Sequence, residues 1–364
     1  MYGALLMHKQ NKPSAAISVD LIRVIAVLGV ILLHATIDLT TKSTGLHVLR
    51  WWMVDIYQCF GRMGVPLFLM LSGSLLLGSS KWDEDLSSFF KKRFIRIGLP
   101  FIFWSIIFFF WAFYVENQLL TWDFIIKGIL GGPYFILWYL YMLVGLYFVT
   151  PLLRVMVAHF TDKLFKYFIY LWLISATISP LIGLASSDKY QLNTNLFLIP
   201  LFLGYFVAGA YFVNVQVRRR VLVFFTVLGL ALSAIATCLL AIYIGGGTQY
   251  FFQEYYSPTM ILASVAFFIL LNSYAKPQSP SQMEKLSWKQ RIMRLISENT
   301  LPIYLLHMIV IYALQTGFFF GFTLTGDVVN SIIGVPIMTA LTLALCLLII
   351  VPLKKIPGLN KLIG

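Results

Sequence analysis

Apolar runs of about 20 residues, each long enough to cross a lipid bilayer as a helix, recur along almost the whole chain. Only 11% of the 364 residues are charged, whereas soluble domains carry about 25%. Inside a bilayer the backbone polar groups have to be satisfied within the spanning segment, so runs of this length form helices. The sequence therefore predicts an all-α, polytopic transmembrane helix bundle that forms one domain over residues 1–364.

Hydropathy predicts about ten spans in this bundle. They lie at 17–39, 54–78, 94–115, 134–154, 167–185, 195–214, 221–244, 258–275, 300–320 and 331–352. Residues 47–61 are amphipathic and form either a helix at the membrane surface or an extension of the second span. The polar segment 276–299 is predicted to be a cytoplasmic loop that contains a surface helix at 286–296.

Lys and Arg are distributed unevenly between alternate polar segments, and this asymmetry predicts the orientation of the chain in the membrane. The segments on the same side as the N-terminal tail, residues 1–16, hold most of the 27 basic residues. The intervening segments hold only Lys42, Arg50, Lys127 and Lys189. Both termini are therefore predicted to be cytoplasmic. The formal charge of +13 then reflects topology, and no nucleic-acid partner is expected.

Four ionisable residues follow one stripe of the first span. Arg23 and His34 are separated by about three helical turns, which places them about 16 Å apart along the helix axis. Asp20 precedes Arg23 by one turn and Asp38 follows His34 by one turn, so each pair is predicted to be in contact. Charges at membrane depth are costly and mark functional sites. An arginine fork suits phosphate or carboxylate, and an imidazole, here oriented by Asp38, suits proton transfer near neutral pH.

Basic side chains also occur in later spans. Arg62 lies well inside the second apolar run and needs an anionic or carbonyl partner. Arg93 and Arg96 lie at the start of the third span, where they either bind an anionic cytosolic ligand or anchor the span at the cytoplasmic surface. His307 lies in the ninth span, and its predicted depth from the cytoplasmic side falls within the range of depths between Arg23 and His34. That depth favours a shared cavity, with simple packing of the ring as the alternative.

The remaining polar and small residues are assigned to packing or to loops rather than to catalysis. Ser72 and Gly73 are small residues of the kind that allows helices to approach closely. Three carboxylates near the opposite side of the membrane are solvated loop residues or, alternatively, line an acceptor site: Glu116, Asp188 and Glu254. No metal is predicted, because the three cysteines lie in apolar runs and no cluster of Cys and His has metal-ligand spacing.

Five motifs follow one another along the chain. They are Asp20-x-x-Arg23 followed by His34; Arg62-x-Gly64-Val65-Pro66-Leu67-Phe68 with Ser72-Gly73; Arg93-x-x-Arg96-Ile97; Leu137-Trp138 leading to Pro151-Leu152-Leu153; and Ile303-Tyr304-Leu305-Leu306-His307. In this order they resemble the acyltransferase-3 family of bacterial integral membrane acyltransferases, in its compact form without a fused periplasmic domain. One position departs from the pattern, because many members carry a histidine where this chain has Ile136.

The resemblance implies a multi-pass enzyme of the bacterial plasma (inner) membrane, surrounded by lipid. It would transfer an acyl group, usually acetyl from cytosolic acetyl-CoA, to a hydroxyl of a cell-surface or lipid-linked polysaccharide. Arg23 and His34 match the functional arginine–histidine pair of the family. Transfer of a succinyl group in exopolysaccharide synthesis is an alternative within the same resemblance.

A mechanism can be predicted from these residues. The phosphates of acyl-CoA bind near Arg93 and Arg96, and the pantetheine arm passes Arg23 towards His34. His34 acts as general base or accepts the acyl group transiently, while Arg62 or His307 stabilises the oxyanion. A transporter or flippase for a glycan precursor is a competing class that also fits ten spans with buried charges. A structural subunit of a polysaccharide export complex is a third alternative, but it would leave the stripe of Arg23 and His34 unexplained.

Overall fold

The structure is a computed structural model. It describes residues 16–42, 49–78, 83–119, 121–186, 189, 199–243, 246–274, 287–318, 321, 323–326 and 330–364. The ordered elements within these residues are all helical, and the predicted all-α class is confirmed. The predicted tail 1–16 and the first part of the predicted loop 276–299 lie largely outside the described residues.

The α-helices, numbered along the described chain, alternate with a few short helical turns of other types. They are α1 (Ala16–Ala35), α2 (Ile37–Lys42), α3 (Leu49–Arg62), α4 (Gly64–Leu76), α5 (Leu86–Arg93), α6 (Leu99–Tyr114), α7 (Trp122–Gly131), α8 (Trp138–Ala158), α9 (Asp162–Ala185), α10 (Leu201–Phe212), α11 (Arg219–Tyr243), α12 (Pro258–Asn272), α13 (Trp288–Glu298), α14 (Thr300–Thr316), α15 (Ser331–Leu353) and α16 (Leu359–Ile363). A π-helix, Phe94–Gly98, joins α5 to α6, and 3₁₀-helices occupy Phe135–Leu137 and Gly246–Gln253.

Eight helical segments among the described residues are long and apolar enough to cross a membrane. A ninth is added if α13 and α14, which meet at an angle of 77°, count as one broken span. The polytopic helical bundle is therefore confirmed. Residues 49–62 are helical and continue into α4, so that Leu49–Leu76 forms one segment. The amphipathic stretch is thus an extension of the second span.

The predicted span at 195–214 is shorter than expected in its described part. Its helix, α10, begins after Pro200, which occupies the N-cap position. Proline has no backbone N–H group to donate within a helix, so it is tolerated best at the start. The helix α10 packs tightly against α4, where a Cβ atom added to Gly73 would collide with the backbone carbonyl of Phe206. The interpretation of Gly73 as a residue that permits close helix approach is consistent with this contact.

Helix α1 lies at the centre of the bundle and packs against α3, α4, α13, α14 and α15. Its contact with α3 is close, because a Cβ atom on Gly61 would lie 2.7 Å from the carbonyl oxygen of Gly29. A larger residue at either glycine would push the two helices apart. This close contact brings the polar residues of α1 within reach of those on α3 and α14.

Candidate active site

His34 and His307 meet inside the bundle. Their ring centroids are 5.1 Å apart, with an interplanar angle of 42°. His34 is partly exposed, whereas His307 is 0% exposed. Nδ1 of His34 and Nε2 of His307 are both enclosed without a hydrogen-bond partner. The structure therefore joins two histidines from distant parts of the sequence and leaves ring nitrogens of both available for proton transfer.

The backbone of its own helix orients His307. Its Nδ1 atom lies within hydrogen-bonding distance of the Tyr304 carbonyl oxygen, one turn earlier in α14. A carbonyl oxygen only accepts, so this bond places the proton on Nδ1 and leaves the lone pair on Nε2. The hydroxyl of Tyr304 in turn donates to the carbonyl oxygen of Ile136, 2.5 Å away. This bond fixes α14 against the start of α8.

The first turn before α8 borders the histidine pair. Phe135 contacts His34 edge to face, with ring centroids 5.6 Å apart. Ile136 is buried. The position at which many related sequences carry histidine is therefore close to His34 and His307 in space. Here an apolar side chain occupies it, and the polar chemistry beside His34 comes from His307.

Asp38 does not orient His34 as predicted. Helix α1 ends at Ala35, and Asp38 lies in the first turn of the separate helix α2. A turn at Thr36 interrupts the regular helix between the two residues, and the one-turn spacing does not lead to a hydrogen bond between their side chains. Nδ1 of His34 accordingly has no hydrogen-bond partner.

Arg23 lies towards the other end of α1 and is partly buried. It forms no ion pair or hydrogen bond with any described residue, in contrast to the predicted contact with Asp20. The carboxylate of Asp20 instead accepts a hydrogen bond from Ser297 Oγ at 2.6 Å. Because an enclosed guanidinium is costly without an anion, the unpaired fork of Arg23 is suited to an anionic ligand.

The π-helix after α5 separates the two arginines of the third span. Arg93 points inwards, and its guanidinium lies 5.3 Å from the Phe89 ring centroid and 5.8 Å from that of Tyr147. Arg96 is exposed, and its charge is close enough to repel that of Arg23. The structure thus brings Arg96 and Arg23 together, whereas Arg93 is held between aromatic rings.

Lys354 joins this basic group, although the sequence indicated only a role in topology. It follows α15, is half-buried, and donates from Nζ to the carbonyl oxygen of Glu298 at 3.4 Å. Burial lowers the pKa of the Lys354 ammonium; the negative charge of Glu298 opposes this shift, and the positive charge of Arg96 adds to it. We call Arg23, Arg96 and Lys354 the basic cluster. The repulsion within it would be relieved by a bound anion.

A buried ion-pair network supports the neighbouring helix α5. Arg154 is 3% exposed, and donates from Nε to the Leu76 carbonyl oxygen at 2.7 Å and from Nη1 to Glu84 at 2.8 Å. Lys92 binds the other carboxylate oxygen of Glu84 at 2.7 Å. Hydrogen bonds from Lys92 and Arg154 lower the pKa of the Glu84 carboxyl to about 2. No sequence motif pointed to this network, because its members are far apart along the chain.

Arg62 has the anionic partner that its position required. Its Nη1 atom lies 2.8 Å from Oε1 of Glu254, and its guanidinium lies 5.9 Å from the centroid of the Tyr255 ring. The interpretation of Glu254 as a solvated loop carboxylate is therefore wrong, because the fold brings its segment against α3. The charge of Arg62 also acts on His34. Glu116 is exposed, and Asp188 lies outside the described residues.

A second polar contact holds the segment that carries Glu254. Gln253, at the end of a 3₁₀-helix, donates from Nε2 to Oδ1 of Asp55 in α3, and both side chains are buried. Asp55 lies two helical turns before Arg62 and so faces the same way. This hydrogen bond and the Arg62–Glu254 ion pair together fix the segment against α3.

The polar residues are therefore arranged in three groups along α1. The basic cluster lies beside its first turns, and the histidine pair lies beside its last turn. Arg62 belongs to the part of α3 that packs against the last turns of α1, where Gly61 contacts Gly29 and Leu33. Among the described residues no group of three or more His, Cys, Asp or Glu side chains could hold a metal ion. The three cysteines are free and buried. The arrangement places basic groups and proton-transfer groups along the same helix.

Comparison with known proteins gives one match. A family described as an acyltransferase domain, the acyltransferase-3 family, matches residues 17–351 and so covers nearly the whole chain. No curated protein and no solved structure matches the chain. The match includes the span with Arg23 and His34, the π-helix with Arg96, and the helix with His307. With its apolar helices, the chain is a multi-pass membrane protein that belongs to the acyltransferase-3 family of membrane acyltransferases.

Proposed function

We propose that the protein transfers an acyl group, most often acetyl, from acyl-CoA to a hydroxyl of a cell-surface or lipid-linked polysaccharide in the bacterial plasma membrane. The observation that carries the proposal is the contact between His34 and His307 in the interior of a bundle whose family performs acyl transfer.

The basic cluster is the proposed site for the phosphates of the donor. Arg23 and Arg96 supply planar forks, and Lys354 supplies a point charge, which is the mixture that phosphate sites commonly use. Along α1, Arg23 is about 16 Å from His34 at a rise of 1.5 Å per residue. The extended pantetheine arm between the phosphates and the thioester bridges a separation of this kind. Acyl-CoA is thus expected to enter from the cytoplasmic side.

The chemistry requires one proton to move. The acceptor hydroxyl oxygen forms a bond to the acyl carbon, and the carbon–sulfur bond of the thioester breaks. The hydroxyl proton passes to His34 and from there to the thiolate of CoA, so that the ester and free CoA are the products. The positive charge of Arg62 stabilises the negative charge that develops on the carbonyl oxygen.

The two histidines have different parts in this proposal. His34 is partly exposed, so it is the residue that touches the substrates and acts as the catalytic base. His307 is fully buried and its ring is fixed by Tyr304. It is a positioning residue that holds the His34 ring and supplies Nε2 as an acceptor beside it.

A transfer assay tests the proposal. Protein in lipid nanodiscs is incubated with radiolabelled acetyl-CoA and with surface glycan extracted from a strain that lacks the gene, because that glycan is the unacylated acceptor. The expected result is release of CoA and label on the glycan, both lost in His34→Ala. A parallel incubation with succinyl-CoA identifies the acyl group. If the wild-type protein releases no CoA and labels no glycan from either thioester, the proposed function is wrong, and a transporter would behave in this way.

A further inference from the structure

We propose that Trp138, Phe202 and Tyr255, together with the Arg62–Glu254 ion pair, bind a pyranose ring of the acceptor saccharide beside His34. We call these five residues the aromatic subsite. This inference rests on the proposed function, because it names the place at which the acceptor of the same reaction binds.

The three aromatic rings of the subsite come from different elements and meet at one point. The ring centroids of Trp138 and Phe202 are 5.4 Å apart, those of Phe202 and Tyr255 are 5.9 Å apart, and those of Trp138 and Tyr255 are 6.1 Å apart. All three side chains are only partly buried. The rings are inclined to one another by 33° to 62°, and a group of this kind that keeps part of its surface accessible offers an apolar platform of ring faces and edges.

The ion pair at the edge of the platform keeps unused hydrogen-bonding capacity. Arg62 and Glu254 share one contact, between Nη1 and Oε1, and their side chains are 20% and 33% exposed. Nε of Arg62 is enclosed without a partner, and the side-chain hydrogen bond of Glu254 to a described residue uses Oε1 and not Oε2. Because both side chains are partly exposed, the pair leaves polar atoms that a ligand can contact.

The subsite adjoins the catalytic base. Phe135, which contacts His34 edge to face, lies one turn before Trp138. The charge of Arg62 acts on His34. Arg62 follows Gly61, which contacts Gly29 and Leu33, so the subsite lies beside the last turns of α1 and is separate from the basic cluster near its first turns. Donor and acceptor would then meet at the histidine pair without competing for space.

A pyranose ring has the two kinds of surface that this place can bind. Its axial C–H groups form an apolar face that packs on aromatic rings, and its hydroxyl groups both donate and accept hydrogen bonds. An acyl chain would use the rings but would leave the ion pair without hydrogen bonds at a cost in free energy. A simple anion would pair with Arg62 but would be repelled by Glu254. The combination of platform and ion pair therefore favours a saccharide.

The test measures the two substrates of the purified protein separately. In nanodiscs, the KM for glycan from the deletion strain and the Kd for acetyl-CoA are determined for the wild type, Glu254→Gln and Trp138→Phe. Glu254→Gln keeps nearly the original shape, Trp138→Phe keeps an aromatic ring of smaller size, and the folding of both variants is checked by thermal melting. We expect the acceptor KM to rise about tenfold in Glu254→Gln, as for loss of one charge-assisted hydrogen bond, with unchanged acetyl-CoA affinity.

Matched controls use an ion pair and a tryptophan away from the subsite. Asp123→Asn removes the exposed pair between Asp123 and Lys127, and Trp122→Phe changes an exposed ring, so neither should alter the acceptor KM. The subsite is wrong if folded Glu254→Gln and Trp138→Phe transfer label with the wild-type acceptor KM. If the wild-type protein transfers no label at all, the proposed function fails, and the subsite fails with it.

Discussion

The imidazole rings of His34 and His307 lie side by side, with their centroids 5.1 Å apart. The Nε2 atom of His307 is buried there without a hydrogen-bond partner. The two residues lie on α1 and α14, which pack against each other in the centre of the bundle. The contact assigns separate tasks to two groups of the same chemical type. Their replacement should therefore have different kinetic consequences.

Loss of His34 should remove general-base catalysis. We expect His34→Ala to lower kcat by about 100- to 10,000-fold, the usual contribution of a positioned base, while the Kd for acetyl-CoA stays at the wild-type value. Label transfer and equilibrium binding in nanodiscs measure the two quantities. A folded His34→Ala protein with wild-type turnover would show that another group removes the proton.

Replacement of His307 separates positioning from packing. In His307→Asn the side-chain amide can still donate to the Tyr304 carbonyl oxygen, but the Nε2 atom is lost. We expect a lower kcat, a smaller loss than in His34→Ala, and unchanged KM for both substrates. A variant that melts at the wild-type temperature and retains full kcat would contradict a positioning role. If kcat falls only in proportion to a loss of folded protein, as judged by thermal melting, His307 serves only the fold.

The basic cluster should determine donor affinity. Because each cation is expected to form a charge-assisted contact with a phosphate, Arg23→Met and Lys354→Met should each raise the KM for acetyl-CoA about tenfold. The acceptor KM should not change. High salt should narrow the difference in the KM for acetyl-CoA between each variant and the wild type. Lys361→Met is the matched control, since Lys361 is exposed outside the cluster. An unchanged donor KM in both cluster variants would exclude this site for the phosphates.

The helical class and most spans could be predicted from the sequence, and so could the presence of basic side chains within or at the ends of the apolar helices, such as Arg23, His34 and His307. The reason is physical, because a bilayer requires long apolar helices and penalises charge within them. Periodicity along one helix predicts which residues share a face as long as the helix continues. It failed for Asp38, since the break at Thr36 ends that periodicity.

Contacts between distant segments were not predictable in the same way. The partners Glu254 of Arg62 and Glu84 of Arg154 lie in short polar segments that look like ordinary loops in the sequence. Lys354 looked like one of many cytoplasmic lysines. Only the packing of the helices brings these residues to buried arginines or to Arg96. A basic residue deep in an apolar run does indicate that some carboxylate must approach it, but not which one.

Close packing of α4 on α10 gives a prediction about stability. A methyl group on Gly73 would collide with the Phe206 carbonyl, so Gly73→Ala should lower the free energy of unfolding by about 2 kcal/mol. Gly145→Ala is the matched control, because a Cβ atom there meets nothing within 4 Å in the middle of α8. It should be neutral or slightly stabilising. Thermal melting in nanodiscs compares the two, and equal melting temperatures would contradict the close approach.

The Glu84–Arg154 pair gives a prediction about acid. The folded pKa of Glu84 is about 2, below its usual value of 4.5, so the ionised carboxylate stabilises the folded state. This contribution is fully present above about pH 4.5 and is lost as the pH falls towards 2. Glu84→Gln should lower the melting temperature at neutral pH because the buried Arg154 loses its carboxylate partner. It should also remove part of the acid-induced loss of stability.

Lys92→Met is the matched control for this pair. Lys92 binds the same carboxylate, but its side chain is 61% exposed, so its loss should cost little. Melting curves of the wild type, Glu84→Gln and Lys92→Met at pH 7 and at pH 3 separate the two contacts. If Glu84→Gln and Lys92→Met lower the melting temperature equally, the surface contact matters as much as the buried one. In that case α5 would not depend on Arg154 for its position.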